Sequence, residues 1–137
     1  MENCIFCKII KGEIPSFKVY EDNNVFAFLD IAPVNKGHVL VIPKNHSENI
    51  HDVSDEDLKH LISAAKNLSD AVKKGVGADG VNVSNSSGIA AGQTVMHTHF
   101  HIIPRFKGDG LKHWPQGKYG EGEMQKYAEL IKTANVF

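Results

Sequence analysis

Leu58, Leu61, Ile62, Ala65, Leu68 and Val72 recur at steps of three and four residues. That spacing draws one apolar stripe along a helix and predicts one over residues 54–74, lying on a sheet. Ser54 is placed to cap it, with Asp57 three positions on in a capping-box-like arrangement. Lys73 and Lys74 suit the negative end of the dipole, and Gly75 suits the C-terminal cap. Ile5-Phe6-x-x-Ile9-Ile10 has helical spacing over one short turn, which Gly12 and Pro15 bring to an end.

Elsewhere the period is two. Residues 17–20 read as a strand with Val19 inward. Glu21-Asp22-Asn23-Asn24 is turn chemistry. Residues 25–30 form a second strand, with Val25, Ala27 and Leu29 on one face and Phe26 and Phe28 on the other, so the pair is a predicted hairpin. Residues 38–42 are almost continuously apolar and close at Pro43, which predicts burial on both faces. Residues 81–84 are a short strand, and the small residues from Asn85 to Gly92 are a loop. Residues 97–103 are a further strand. Pro104 removes a ladder donor, so this strand should end there or lie at a sheet edge. The stretch 105–121 carries Gly108, Gly110, Gly117, Gly120 and Pro115; it reads as irregular, with Trp114 as an anchor. Met124, Tyr127, Ala128 and Ile131 mark a C-terminal helix. The sum is an α+β domain spanning 1–137, with an antiparallel sheet of about five strands, one long helix packed on it and a C-terminal helix.

Composition narrows the function classes. The 137 residues carry 42% hydrophobic and 23% charged positions, as in an ordinary globular chain. No apolar run approaches the roughly 18 residues of a membrane span. The N-terminus has no basic region followed by an apolar stretch, so a cytoplasmic location without membrane association is expected. Fifteen basic residues against sixteen acidic ones give a net charge of −1. No Lys/Arg cluster supplies the basic surface that a nucleic-acid backbone requires. A single nucleotide needs only local amide groups and a few side chains.

Candidate chemistry sits in Gly92-Gln93-Thr94-Val95-Met96-His97-Thr98-His99-Phe100-His101. On a strand, alternation puts His97, His99 and His101 on one face. Three imidazoles in a row can be a solvated accident, a metal cluster, or a nucleophile with its helpers. Both chemical readings need neutral rings, so protonation does not separate them. A second cluster is Cys4-x-x-Cys7. Two cysteines at this spacing are half of a zinc site, a redox pair, or two reduced spectator thiols.

The run His97-x-His99-x-His101, preceded by Gly92-Gln93-Thr94, closely resembles the signature of the histidine triad (HIT) family of nucleotidyl hydrolases and transferases. The likeness extends to Phe28-Leu29-Asp30-Ile31 and to Gly37-His38-Val39-Leu40-Val41-Ile42-Pro43-Lys44-x-His46, and covers roughly residues 4–116. The resemblance implies a HIT-like fold in which His99 attacks an α-phosphate, the carbonyl of His97 fixes its tautomer, and His101 steadies the phosphate oxygens. Gln93 and Thr94 would supply donors, Thr94 helping to protonate the leaving group, while Gly92 would let backbone approach the ligand. Phe6, Ile9, Phe28 and Ile31 match the nucleobase slot, Asp30 the ribose partner, Asn85 a phosphate or ribose contact, and His38 a further active-site histidine. Each has a plain alternative: core packing for the apolar residues, turn or cap duty for Asp30 and Asn85, a surface amide for Gln93, and a buried, satisfied ring for His38. Some relatives hold zinc through a cysteine pair and two histidines, which match Cys4, Cys7, His46 and His97.

Two features blur the branch. Pro104-Arg105 follows the triad, where the Hint branch commonly has glycine. His113-Trp114-Pro115 resembles the Hint C-terminus, which in a dimer reaches toward the partner's site, yet another helix follows here. The expectation is a homodimeric, Hint-like hydrolase of purine nucleoside phosphoramidates, with structural Zn2+ and no organic cofactor. The alternatives are a dinucleoside polyphosphate hydrolase, a catalytically weak nucleotide-binding adaptor, and a zinc hydrolase using the triad as ligands.

Overall fold

A computed structural model describes residues 3–136. A one-and-a-half-turn helix α1 (Ile5–Ile10) leads into a hairpin, β1 (Lys18–Glu21) and β2 (Val25–Leu29). Then come β3 (Val39–Pro43), the long helix α2 (Asp55–Val76), β4 (Gly80–Asn85), β5 (Phe100–Arg105) and α3 (Glu123–Ala134). The five strands make one sheet in the order β1-β2-β3-β5-β4, every pair antiparallel.

The alternation of β2 sorts the core into two halves. Val25 and Ala27 turn to the α2 side, with Val39, Val41, Phe100 and Ile102. Leu61, Ala65, Leu68 and Val72 of α2 pack onto them. At about 1.5–3 kcal/mol for each large side chain fully buried, this layer supplies most of the domain's cohesion. Phe26 and Phe28 turn the other way and join Leu40, Ile42, Phe6 and Ile9. Because His101 lies between Phe100 and Ile102 and pairs with Leu40 across the ladder, it faces the α1 side. One face of the sheet therefore carries the larger core layer, and the opposite face carries the smaller one together with His101.

Several local expectations need correction. Ser54 does cap α2, its side chain accepting from the Asp57 N–H at 3.0 Å. The Asp57 carboxylate is instead taken by Asn45. The helix ends at Gly77, whose φ of +67° only glycine adopts readily, and Gly75 lies inside it. Ile62 lies outside the buried stripe and Ala64 within it. Val19 is exposed, because β1 is an edge strand and nothing covers it.

Pro104 neither ends β5 nor puts it at an edge: β5 runs to Arg105 between β3 and β4. The missing N–H falls beyond the last residue pair with β3, Val39–Ile102, so no ladder bond is lost there. Its carbonyl accepts from Asn35 at 2.8 Å. Trp114 is 83% exposed and anchors nothing among the described residues. Helix α3 buries none of its residues. Among the described residues no helix is long and apolar enough to cross a membrane.

Candidate active site and metal centre

His97 and His99 precede β5 in irregular chain that bends at residues 95–97, and only His101 belongs to the strand. Two anchors hold this approach. Thr98 donates its N–H to the Ser47 carbonyl at 2.8 Å, and the two hydroxyls meet at 2.7 Å in the buried layer. Asn85 of β4 donates its amide to the His99 carbonyl at 2.8 Å. The Ser47–Thr98 brace has no signature in the sequence, since neither residue belongs to a recognisable pattern.

The imidazole hydrogen bonds determine where every proton sits. His99 Nδ1 lies 2.7 Å from the carbonyl oxygen of His97. A carbonyl only accepts, so Nδ1 carries the proton and Nε2 of His99 bears a free lone pair. The backbone N–H of Val34 points at Nδ1 of His38 at 3.1 Å. An N–H only donates, so Nδ1 of His38 is bare and its proton is on Nε2. That proton faces Nδ1 of His101 at 2.9 Å, which leaves the His101 proton on Nε2. Adjacent rings thus carry opposite tautomers: His99 offers an electron pair and His101 offers an N–H. Burial, with His99 and His38 alongside, pushes the His101 pKa down to about 4. Burial likewise lowers the His38 pKa, with Asp30 opposing. Both rings are neutral near pH 7.

These rings open onto a cavity of about 300 Å³ lined by Phe6, Ile9, Phe28, Asp30, Ile31, Thr94, His99 and His101, among others. Phe6 packs edge-on against Phe28 at 5.4 Å and against His99 at 5.3 Å, so it serves the core and the ring orientation together. Ile31 is 98% exposed at the rim. Asp30 accepts from the Ala32 N–H at 2.8 Å through one oxygen, and its other oxygen lies 3.7 Å from His38 Nε2. Asp30, His38 and His101 form a cluster of metal-ligand type, yet Nε2 of His38 holds a proton there and has no lone pair to give. Gly92 has φ +97° at the end of a 3-10 turn over residues 89–91. Gln93 is 3% exposed and its amide is occupied by backbone groups.

The second cluster joins the first through His97. Its Nε2 donates to the Pro43 carbonyl at 2.8 Å, which leaves Nδ1 bare. That nitrogen lies 3.3 Å from Cys4 Sγ, 3.6 Å from Cys7 Sγ and 3.2 Å from His46 Nδ1, with Cys7 Sγ 3.4 Å from His46 Nδ1. A tetrahedral zinc with N at about 2.0–2.1 Å and S at about 2.3 Å spaces its ligand atoms about 3.3–3.8 Å apart. The four side chains fit that ion in donor type, spacing and, for His97, tautomer. Burial and the neighbouring Cys4 push the Cys7 thiol up to about 11 in the metal-free chain, a cost that a bound cation removes.

The family model for the HIT domain matches residues 11–108. An uncharacterized HIT-like protein of Methanocaldococcus jannaschii is 50% identical over 129 residues, covering 94% of this chain and 96% of its own. The adenosine 5'-monophosphoramidase HNT1 of Saccharomyces cerevisiae is 50% identical over 131 residues, covering 94% of this chain and 78% of its own. Among solved structures, a HIT family member from Bacillus subtilis superimposes with a TM-score of 0.90 at 45% identity, covering 98% of this chain and 99% of that one. A Zn-bound histidine triad family protein of Mycobacterium smegmatis gives 0.78 at 35% identity, with the same coverage.

Proposed function

The chain belongs to the HIT family, and from that footing we propose that it is a hydrolase of purine nucleoside phosphoramidates, working through a nucleotidyl-His99 intermediate. The observation that carries the reading is the pair of opposite tautomers. A lone pair at His99 Nε2 stands beside an N–H at His101 Nε2, at the inner end of an apolar slot. In the first step the His99 lone pair forms a bond to phosphorus and the P–N bond breaks. The His97 carbonyl holds the Nδ1 proton and steadies the positive ring that results. His101 donates to a phosphate oxygen, where negative charge grows. The departing amine takes a proton that solvent supplies through the Thr94 hydroxyl. Water then attacks phosphorus and gives a proton back to solvent by the same path, the P–His99 bond breaks, and the nucleoside monophosphate leaves with the ring neutral again.

The walls support this substrate class. Phe6, Phe28, Ile9 and Ile31 offer faces and edges to a purine. A second cavity of about 380 Å³ adjoins the first at Thr94, Val95 and Ile5 and reaches Cys4 and His46; we assign the leaving group to its Thr94 end. No lysine or arginine lines either cavity. A polyphosphate leaving group would meet no compensating charge there, so an amine is favoured over a dinucleoside polyphosphate. The yeast relative named as an adenosine 5'-monophosphoramidase supports the same choice.

Structural zinc at Cys4, Cys7, His46 and His97 belongs to the reading, supported by the donor fit and by the Zn-bound relative. A homodimer belongs to it as well. β4 is a sheet edge, and α3 presents Met124, Leu130 and Ile131 largely exposed, with Tyr127 beside the Tyr119 ring. Steady-state rates with an adenosine phosphoramidate and a diadenosine triphosphate test the function. The phosphoramidate should be the better substrate, and His99→Ala should abolish its turnover. Wild-type turnover no faster than that of His99→Ala would refute the reading.

A further inference from the structure

Gln93 lies beside the triad, where the sequence pointed to a donor for substrate phosphate. Its hydrogen bonds say otherwise. The side-chain oxygen accepts from the Gly88 N–H at 2.8 Å. The two amide hydrogens go to the Glu48 carbonyl at 2.7 Å and to the Val95 carbonyl at 3.0 Å. Both donors are spent and the side chain is buried, so nothing remains to offer a ligand.

The three partners lie on three separate pieces of chain. Gly88 begins the turn before Gly92. Glu48 is in the loop after β3 that also carries His46 and Ser47. Val95 is two residues ahead, so the bond from the Gln93 side chain to it brackets Thr94. Nothing of regular secondary structure holds residues 92–96. We infer that Gln93 is a positioning residue: it straps the Thr94 segment to the loop after β3, and so sets the Thr94 hydroxyl where the two cavities meet. The inference rests on the hydrolase reading above and refines it. Gln93 serves the leaving-group step through Thr94 and does not touch the phosphate.

The two roles predict different substrate dependence. An alkylamine leaves phosphorus only as it gains a proton, whereas p-nitrophenolate leaves without one. Gln93→Met keeps the side chain's length and apolar volume and removes all three bonds. If Gln93 acts through Thr94, this variant should lose about 100-fold in kcat/KM on an adenosine 5'-N-alkylphosphoramidate and no more than about 3-fold on AMP p-nitrophenyl ester, the range expected for displaced acid–base assistance. In a Thr94→Val background, adding Gln93→Met should cost the alkylamine substrate less than 3-fold more, as coupled positions require. Equal losses on both substrates would overturn the inference in favour of a direct phosphate donor. An unchanged substrate ratio with only a lowered unfolding midpoint would overturn it in favour of a purely structural role. Wild-type protein that turns over neither substrate would refute the hydrolase reading itself, and the inference with it.

Discussion

His38 Nε2 stands 2.9 Å from His101 Nδ1, and the backbone N–H of Val34 behind it forces the proton onto the His101 side. One peptide N–H thus decides, two rings away, that His101 presents an N–H and not a lone pair, as the proposed contact to a phosphate requires. Were His38 flipped to its other tautomer, its Nδ1–H would face the Val34 N–H, and His101 would have to present a lone pair to an anion.

Replacing His38 tests this chain of protons. His38→Leu removes the donor, leaving His101 free to change tautomer. Loss of an aimed N–H at a phosphoryl oxygen costs on the order of 10²–10³ in rate, and a fall approaching that range in kcat/KM is expected. His38→Gln, whose amide nitrogen reaches about as far as Nε2, should recover much of it. Nitrogen-15 NMR of the imidazoles should show His101 protonated on Nε2 in the wild type and the Gln variant. A population protonated on Nδ1 should appear in the Leu variant.

Acid should destabilise the fold through the same pair. His101 has its pKa depressed from 6.5 to about 4 by burial and by its histidine neighbours, and burial depresses that of His38. An unfolded chain takes up protons at these rings near their ordinary value, while the folded chain refuses them. Stability from this source is therefore complete above about pH 6.5 and falls as pH drops toward about 4. The two rings are in contact, so the loss is that of a coupled pair. Urea midpoints across this range should fall for the wild type and fall less steeply for His101→Asn.

Removing the metal should act on stability and catalysis together. His97 joins the cluster of Cys4, Cys7 and His46 through Nδ1 and holds His99 Nδ1 through its carbonyl. Protein purified under reducing conditions should contain about one zinc per chain, as a closed four-ligand site holds one ion. Chelation should lower both the unfolding midpoint and the turnover number, and His46→Ala should do the same without chelator. Loss of turnover with no change in stability would point to a catalytic metal instead. Because the Cys7 thiol must lose its proton to bind, zinc affinity should weaken as pH falls.

The quaternary expectation is open to sedimentation equilibrium. The full chain should behave as a dimer at micromolar concentration, and replacing Val83 of the edge strand β4 with proline should shift it toward monomer. A full chain that stays monomeric would remove the dimer from the account.

Much of this was legible in the sequence, for physical reasons. Period-two alternation in residues 25–29 and the three- and four-residue steps of α2 each bury one face, so pattern maps directly onto layers. The Cys4–Cys7 pair and His46 met at His97 as the family resemblance implied. What could not be read were relationships carried by backbone. The Val34 N–H that fixes two tautomers has no signature in side-chain identity. Gln93 looked like a ligand donor because sequence shows its position beside the triad and hides its bonds to three carbonyl and amide groups. Pro104 misled because edge and end are properties of the neighbouring strand's length: β3 stops pairing before Pro104 needs a partner. Ile62 and Val19 misled because apolar character does not say whether another element arrives to cover it.

The central claim is that His99 Nε2 becomes bonded to phosphorus. Rapid mixing with an adenosine phosphoramidate, a mild non-acidic quench within one turnover, and mass spectrometry of the intact chain and its peptides test it most directly. The account predicts a mass increase of one adenylyl group, located on the peptide at His99 and absent from His99→Ala. Wild-type protein that consumes substrate through that first turnover with no adduct, or with the adduct on another residue, would contradict it.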